Sequence, residues 1–298
     1  MVVASSGGAR MAALAALVAM VGAACSGSAS PARAAVPARS SAQALAAVRG
    51  AAAATLTETA SISIALDGAT VFGGSPAAVT GTGAFDFRAL RGALTLRPAG
   101  AAKVEPVVFA PGGVYVRPAA GTASLPPGKT WIAADLSEAA GPLGATTPSF
   151  VLQAESINPA LTISELLWGA VSAAEVSQEA VAGAPATRYD VTVDLRTALA
   201  NASGTAGLPF ALALQAEAAA LRGAPAPPVR VWLTSDGRLL RMELSPPGAG
   251  VGRARTTLSG FGLQVSADPP PGGQVVEFTA LSPAGERENR NGGDADGG

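Results

Sequence analysis

The side chains that most often carry catalysis are scarce in this sequence of 298 residues, which contains no histidine and a single cysteine. Without an imidazole no Ser-His-Asp or Cys-His relay can form, and the commonest zinc ligand is missing. Carboxylates remain. Asp86, Asp190 and Asp194 stand close to arginines on stretches that alternate polar and apolar residues, where cross-strand ion pairing accounts for them. Gly128-Lys129-Thr130 imitates the end of a phosphate-binding loop, but its glycines are too widely spaced, Pro126-Pro127 stiffens it, and a strand is expected to follow. Asp294-Ala295-Asp296-Gly297 imitates the opening of a calcium loop and has no later glutamate to close the site. The chain is therefore read as a non-enzyme with no cofactor and no metal site. Its 20 basic and 21 acidic residues are spread without long runs, so nucleic acid is not an expected partner.

Cys25 sits where a different chemistry applies. After Arg10, the segment Met11 to Ala24 is uncharged and small, an apolar run of about 14 residues, short of the roughly 20 that cross a hydrocarbon core as a helix. Residues 1–24 are read as a signal peptide. The run closes in Val21-Gly22-Ala23-Ala24-Cys25, which resembles the bacterial lipobox, with Gly22 where leucine is usual. The resemblance implies cleavage before Cys25 and a diacylglycerol on its thiol. The alternative is an ordinary secretory signal cut at an Ala-x-Ala-like site, leaving an inert thiol; the position of the lone cysteine at the cleavage point favours lipidation. Residues 25–39 then form a small, Pro-broken tether, and residues 282–298 a polar, Gly-rich tail. The expected location is the outer face of the cell membrane, reached by export and held through the lipid.

Between these ends, residues 40–281 hold the elements of a folded domain. Ser40 and Ser41 suit a helix N-terminus, with Leu45, Val48, Ala52 and Leu56 near helical spacing. Strands are expected over 61–66, 79–88, 91–97, 104–110, 114–117 and 129–136, from their alternation. Asn158-Pro159 supplies an N-cap and first-turn proline for a second helix with Ile163, Leu166, Leu167 and Ala170 on one stripe. Further strands are expected over 171–181 and 187–195. Phe210, Leu214, Ala218 and Leu221 suggest a third helix near 209–222. A hairpin across Ser235-Asp236-Gly237 joins 229–234 to 238–244, and 255–263 and 274–281 close the sheet.

The sum is a mainly β (α+β) fold, a curved antiparallel half-barrel sheet with a few helices covering its concave face. Two domains split near 141–147 are the alternative. Several segments together resemble the actinobacterial lipoproteins of the LppX/LprG group, which share the half-barrel of the LolA carriers. They are Pro127-Gly128-Lys129-Thr130-Trp131 with Asp135, the helix at Asn158-Pro159, Val181-Ala182-Gly183 before Thr187-Arg188-Tyr189-Asp190-Val191, and Val231-Trp232-Leu233 before Asp236-Gly237-Arg238-Leu239. Thr234 stands where such proteins often carry Asp. The resemblance implies a cavity that takes up the acyl chains of a lipid or glycolipid, with the membrane as a partner through the anchor. Alternation alone puts Ile62, Ile64, Phe85, Phe87, Val191, Val193, Val231, Leu233, Leu240 and Met242 on the dry strand faces that would line it. The competing function is a cell-surface interaction or sensory module with a filled core, contacting an envelope protein.

Overall fold

The computed structural model describes residues 39–69, 77–100, 103–111, 113–118, 125–135, 157–202, 210, 211, 214, 215, 218, 226, 228–244 and 253–278. Helix α1 (Ser41–Thr55) starts where expected: Ser40 accepts from the Gln43 N–H and the Gln43 side chain accepts from the Ser40 N–H, a reciprocal capping box. Six strands follow, β1 (Thr59–Ala69), β2 (Ala77–Asp86), β3 (Arg91–Pro98), β4 (Glu105–Ala110), β5 (Gly113–Val116) and β6 (Trp131–Asp135). Helix α2 (Pro159–Gly169) runs directly into β7 (Ala170–Val181), which turns back into β8 (Ala184–Val193). Helix α3 (Leu195–Ala202) comes next, then β9 (Val229–Leu233), β10 (Leu239–Leu244), β11 (Arg253–Ser259) and the short β12 (Val275–Glu277).

All twelve strands belong to one sheet, in the order β12-β6-β5-β4-β3-β2-β1-β11-β10-β9-β8-β7. It consists of two meanders, β1–β6 and β7–β11, sealed by antiparallel pairing of β1 with β11 from Ser61 opposite Ser259 to Asp67 opposite Arg253. This seam rules out two separately packed sheets. Among the described strands only β12 runs parallel to its neighbour, with Val275 opposite Trp131. A dry face so wide does not stay flat. Gly81 and Gly83 on β2 face Leu96 and Leu94 of β3, and a Cβ on Gly83 would lie 1.9 Å from the Ala93 carbonyl oxygen. Their missing side chains let the β3 leucines fold over β2, the local device of a strongly curved sheet. The result is a mainly β, curved half-barrel.

The helices lie on the dry face, their apolar residues merging with those of the strands in one core. α1 packs on β7, where Arg49 donates to the Ala170 carbonyl at 2.6 Å. Its buried side is Ala44, Val48, Ala51, Ala52 and Thr55, with Leu45 and Leu56 only partly covered. The expected stripe is thus rotated toward alanines, which let the helix approach the strand closely. α2 is buried on nearly every side, and Trp168 meets the edge of Phe210 at 5.8 Å. In the stretch read as a third helix, Phe210, Ala211, Leu214, Gln215 and Ala218 are helical; its remaining positions lie outside the described residues.

Two strand ends change: β11 stops at Ser259, short of the expected 255–263, because Gly260 and Gly262 take positive φ and turn the chain, and β8 also stops early. Residues 187–195 were expected to form one strand, but β8 ends at Val193 and Leu195 opens α3, because Asp194 caps that helix: its carboxylate accepts from the Arg196 N–H at 3.0 Å and the Thr197 hydroxyl at 2.7 Å. Asp86 likewise closes the turn after β2 by accepting from the Ala89 N–H. Lys129 N–H closes a turn on Pro126 and β6 follows, so the glycine-lysine-threonine stretch is a strand approach. Cys25, the expected signal peptide, the expected tether up to residue 38 and the expected tail with Asp294 and Asp296 lie outside the described residues. Among the described residues no helix is long and apolar enough to cross a membrane.

Candidate functional site

Alternation along a strand sends every second side chain to one face, and neighbouring strands in register align those faces. Ile62 and Ile64 of β1 therefore join Phe85 of β2 and Phe87 just beyond it, Val191 and Val193 of β8, Val231 and Leu233 of β9, and Met242 of β10 in one continuous apolar cluster. None of these is more than 4% exposed. Phe85 anchors the middle of the face, its ring 4.9 Å from that of Phe87 and 5.6 Å from that of Phe109. Polar groups interrupt it at Glu105 of β4, Thr256 of β11 and Tyr189 of β8. The buried Tyr189 hydroxyl accepts from Arg39 at 2.5 Å, which ties the start of α1 to β8. Burial raises the Tyr189 pKa, and the Arg39 charge opposes that rise.

Leu240 departs from this set. A bulge between Leu239 and Arg241 on β10 pairs Leu239 with Leu233 and Arg241 with Trp232, so Leu239 and Met242 face inward while Leu240 turns out. It joins a small outer cluster with Val181, Ala186 and Trp232. Alternation placed Leu240 beside Met242; the extra residue of the bulge shifts it to the opposite face. Glu179 covers this cluster, accepting from the Trp232 indole N–H at 3.1 Å and pairing with Arg188 at 3.3 Å. Hydrogen bonds from Ser177 and then Trp232, with the Arg188 charge, hold the Glu179 carboxyl below its ordinary pKa. Beside it Asp190, Arg230, Glu243 and Arg255 stand opposite one another across β8 to β11, alternating in sign. Glu243 is paired on both sides, to Arg255 at 2.5 Å and Arg230 at 3.5 Å. Of the carboxylates flagged by sequence, Asp190 pairs with Arg188, Asp194 caps α3 and Asp86 closes a turn.

A second feature went unread in the sequence. The start of β1, the end of β2, the end of β11 and the start of β10 lie at the same end of four adjacent strands, as the antiparallel order requires. Their connections enclose a cleft of about 400 Å³ lined by Thr57, Glu58, Thr59, Asp86, Arg88, Arg238, Phe261 and Gly262. Positive φ at Gly260 (+53°) and Gly262 (+81°) swings Phe261 over the opening of β1, where the Gly262 N–H donates to the Thr59 carbonyl at 3.0 Å. Opposite, Arg88 donates to the Thr57 carbonyl at 3.0 Å and the Phe87 N–H donates to the Glu58 carbonyl. Arg238, delivered by the β9–β10 hairpin, stacks 4.6 Å from the Phe261 ring centre and lies 3.7 Å from Glu58. Phe261 touches both the inner and the outer clusters, so the cleft sits on the rim between the two faces. Its residues are scattered over four turns, and no local motif marks them. Among the described residues no group of three or more Asp, Glu, Cys or His could hold a metal.

No protein-family model matches the chain, and no curated protein does. Solved structures similar to it include LprF from Mycobacterium bovis, at 12% identity and TM-score 0.38, covering 78% of this chain and 99% of that one. The Mycobacterium tuberculosis lipoprotein LppX is similar at 16% identity and TM-score 0.45, covering 77% of this chain and 100% of that one. A LolA superfamily protein from Nitrosomonas europaea is similar at 10% identity and TM-score 0.26, covering 78% and 96%.

Proposed function

We propose that this chain is an exported lipoprotein, anchored to the outer face of the membrane through Cys25, that binds a lipid or glycolipid against the inner apolar face of its sheet and serves lipid transport in the cell envelope. What carries the reading is the broad apolar face: the inner residues of β1, β2, β8, β9 and β10 belong to one cluster with the buried sides of the helices. Acyl chains gain about 0.8 kcal/mol per buried CH₂, so a face of this kind is the surface an extended hydrocarbon chain prefers. The dry face offers few groups that could discriminate headgroups; specificity for the chain part of a lipid would come from shape.

Native mass spectrometry of the protein purified from its own membrane tests both halves of the reading. The expected spectrum shows a diacylglycerol-modified mature chain beginning at Cys25, with a further lipid held non-covalently. A mature chain free of bound lipid would favour the filled interaction module instead. Cys25→Ser should release the protein from membranes, since no described helix can replace the anchor. Retention of that variant after salt and carbonate washes would refute the anchor.

A further inference from the structure

We propose that the rim cleft is a binding site for a neutral polyhydroxylated ring, the sugar of a glycolipid headgroup or of a free glycan. The site does not depend on acyl binding, because a free glycan would occupy it even in a protein whose inner face is filled. Three features of the cleft select this chemistry. At about 400 Å³ its volume lies within the range of small-molecule sites. Its lining sets two guanidiniums, Arg88 and Arg238, against two carboxylates, Glu58 and Asp86, so the opposing charges favour neither an anion nor a cation. The third feature is the unspent hydrogen-bonding capacity of a side-by-side donor and acceptor.

Arg238 and Glu58 are in ionic contact at 3.7 Å, too far apart to hydrogen-bond each other. The Arg238 guanidinium lies over the Phe261 ring, 4.6 Å from its centre, and its N–H groups are donors. The Glu58 oxygens beside it are acceptors. A vicinal diol satisfies both at once: one hydroxyl accepts from Arg238 while its neighbour donates to Glu58. Phosphate would meet the carboxylates, and an ammonium would meet the guanidiniums. Arg88 spends one N–H on the Thr57 carbonyl and Asp86 one oxygen on the Ala89 N–H, so each retains capacity for a further hydroxyl. The walls are preorganised by main-chain bonds between Gly262 and Thr59 and between Phe87 and Glu58, which lowers the ordering cost of binding.

The test titrates the full chain, by ligand-observed NMR and calorimetry, with methyl glycosides of glucose, mannose, galactose and arabinose, with inorganic phosphate, and with choline. A parallel arm measures binding to phosphatidylcholine vesicles with and without digalactosyldiacylglycerol. At least one glycoside or the glycolipid vesicle should bind saturably. Binding to vesicles alone assigns the site to a headgroup, and binding to free glycosides extends it to glycans. Arg238→Ala and the near-isosteric Glu58→Gln should each weaken binding roughly tenfold, the loss expected for a hydrogen bond to a charged group. Arg241→Ala, on the outer face over Trp232, should leave it unchanged. Thermal unfolding of each variant checks that the fold survives. Preference for phosphate or choline, failure of every sugar probe, or binding indifferent to both cleft variants in folded protein would overturn the proposal.

Discussion

Ala182 holds a backbone conformation that alanine disfavours. Its φ of +50° beside +84° at Gly183 is the pattern of a two-residue I′ hairpin, closing β7 onto β8 with Val181 opposite Ala184. Left-handed backbone costs an ordinary L-residue about 1–2 kcal/mol, and asparagine tolerates it better. Ala182→Asn is therefore expected to stabilise the domain by roughly 0.5–1 kcal/mol, read as a rise of a few degrees in Tm. Glu179 carries a different residue-scale expectation. Its pKa is depressed in the folded state, so its contribution is fully present above the unfolded pKa and is lost as pH falls through the folded one. In a Trp131→Phe, Trp168→Phe background, Trp232 fluorescence should stay constant down through the ordinary glutamate range and change only at lower pH. Glu179→Gln should abolish that transition. A transition at or above the ordinary glutamate pKa would contradict the geometry.

Elements were legible in the sequence wherever one local signal fixed both their type and their end. Ser40 and Asn158 with Pro159 mark the starts of α1 and α2 without tertiary information, and the alternation of Tyr189, Val191 and Val193 identifies both β8 and its dry face. Legibility failed where one residue supports two local structures. Asp194 fits the polar face of a strand as well as a helix N-cap, and Leu195 continues the β8 alternation while opening α3; contact between α2 and α3 decides the matter, with Asn201 donating to the Trp168 carbonyl at 2.8 Å. The β10 bulge is equally silent, since an inserted residue leaves composition unchanged while reversing the face of Leu240. The rim cleft is the extreme case, because only the strand order brings Glu58, Arg88, Arg238 and Phe261 together. The Asp194 assignment is testable at this scale. Asp194→Ala should cost about 1 kcal/mol by loss of the cap, with Asp194→Asn retaining most of it, as measured by urea unfolding. An equal loss in both variants would assign the effect to charge.

Over the whole molecule, the question is whether the inner face is closed by protein alone or by protein and ligand together. As it stands the face is covered by the protein's own atoms, so the two cases differ in whether those atoms can give way to acyl carbons. Added volume separates them. On β8, Val191 is flanked by Ala173 of β7 and Val229 of β9 and Val193 stands opposite Ala170 of β7; they are 1% and 4% exposed. In a core at crystal-like density a tryptophan at either site forces neighbours off their rotamers, at about 1–3 kcal/mol or more. In a ligand space the indole takes the room of acyl carbons instead. Val191→Trp and Val193→Trp are accordingly expected to keep a Tm close to that of the delipidated parent while reducing co-purified lipid. The comparison must be made with the delipidated protein, since a ligand bound only by the folded state itself raises Tm. A fall of several degrees below that reference, with no lipid recovered from the parent chain, would identify a filled half-barrel and leave the rim cleft and the outer faces as its working surfaces.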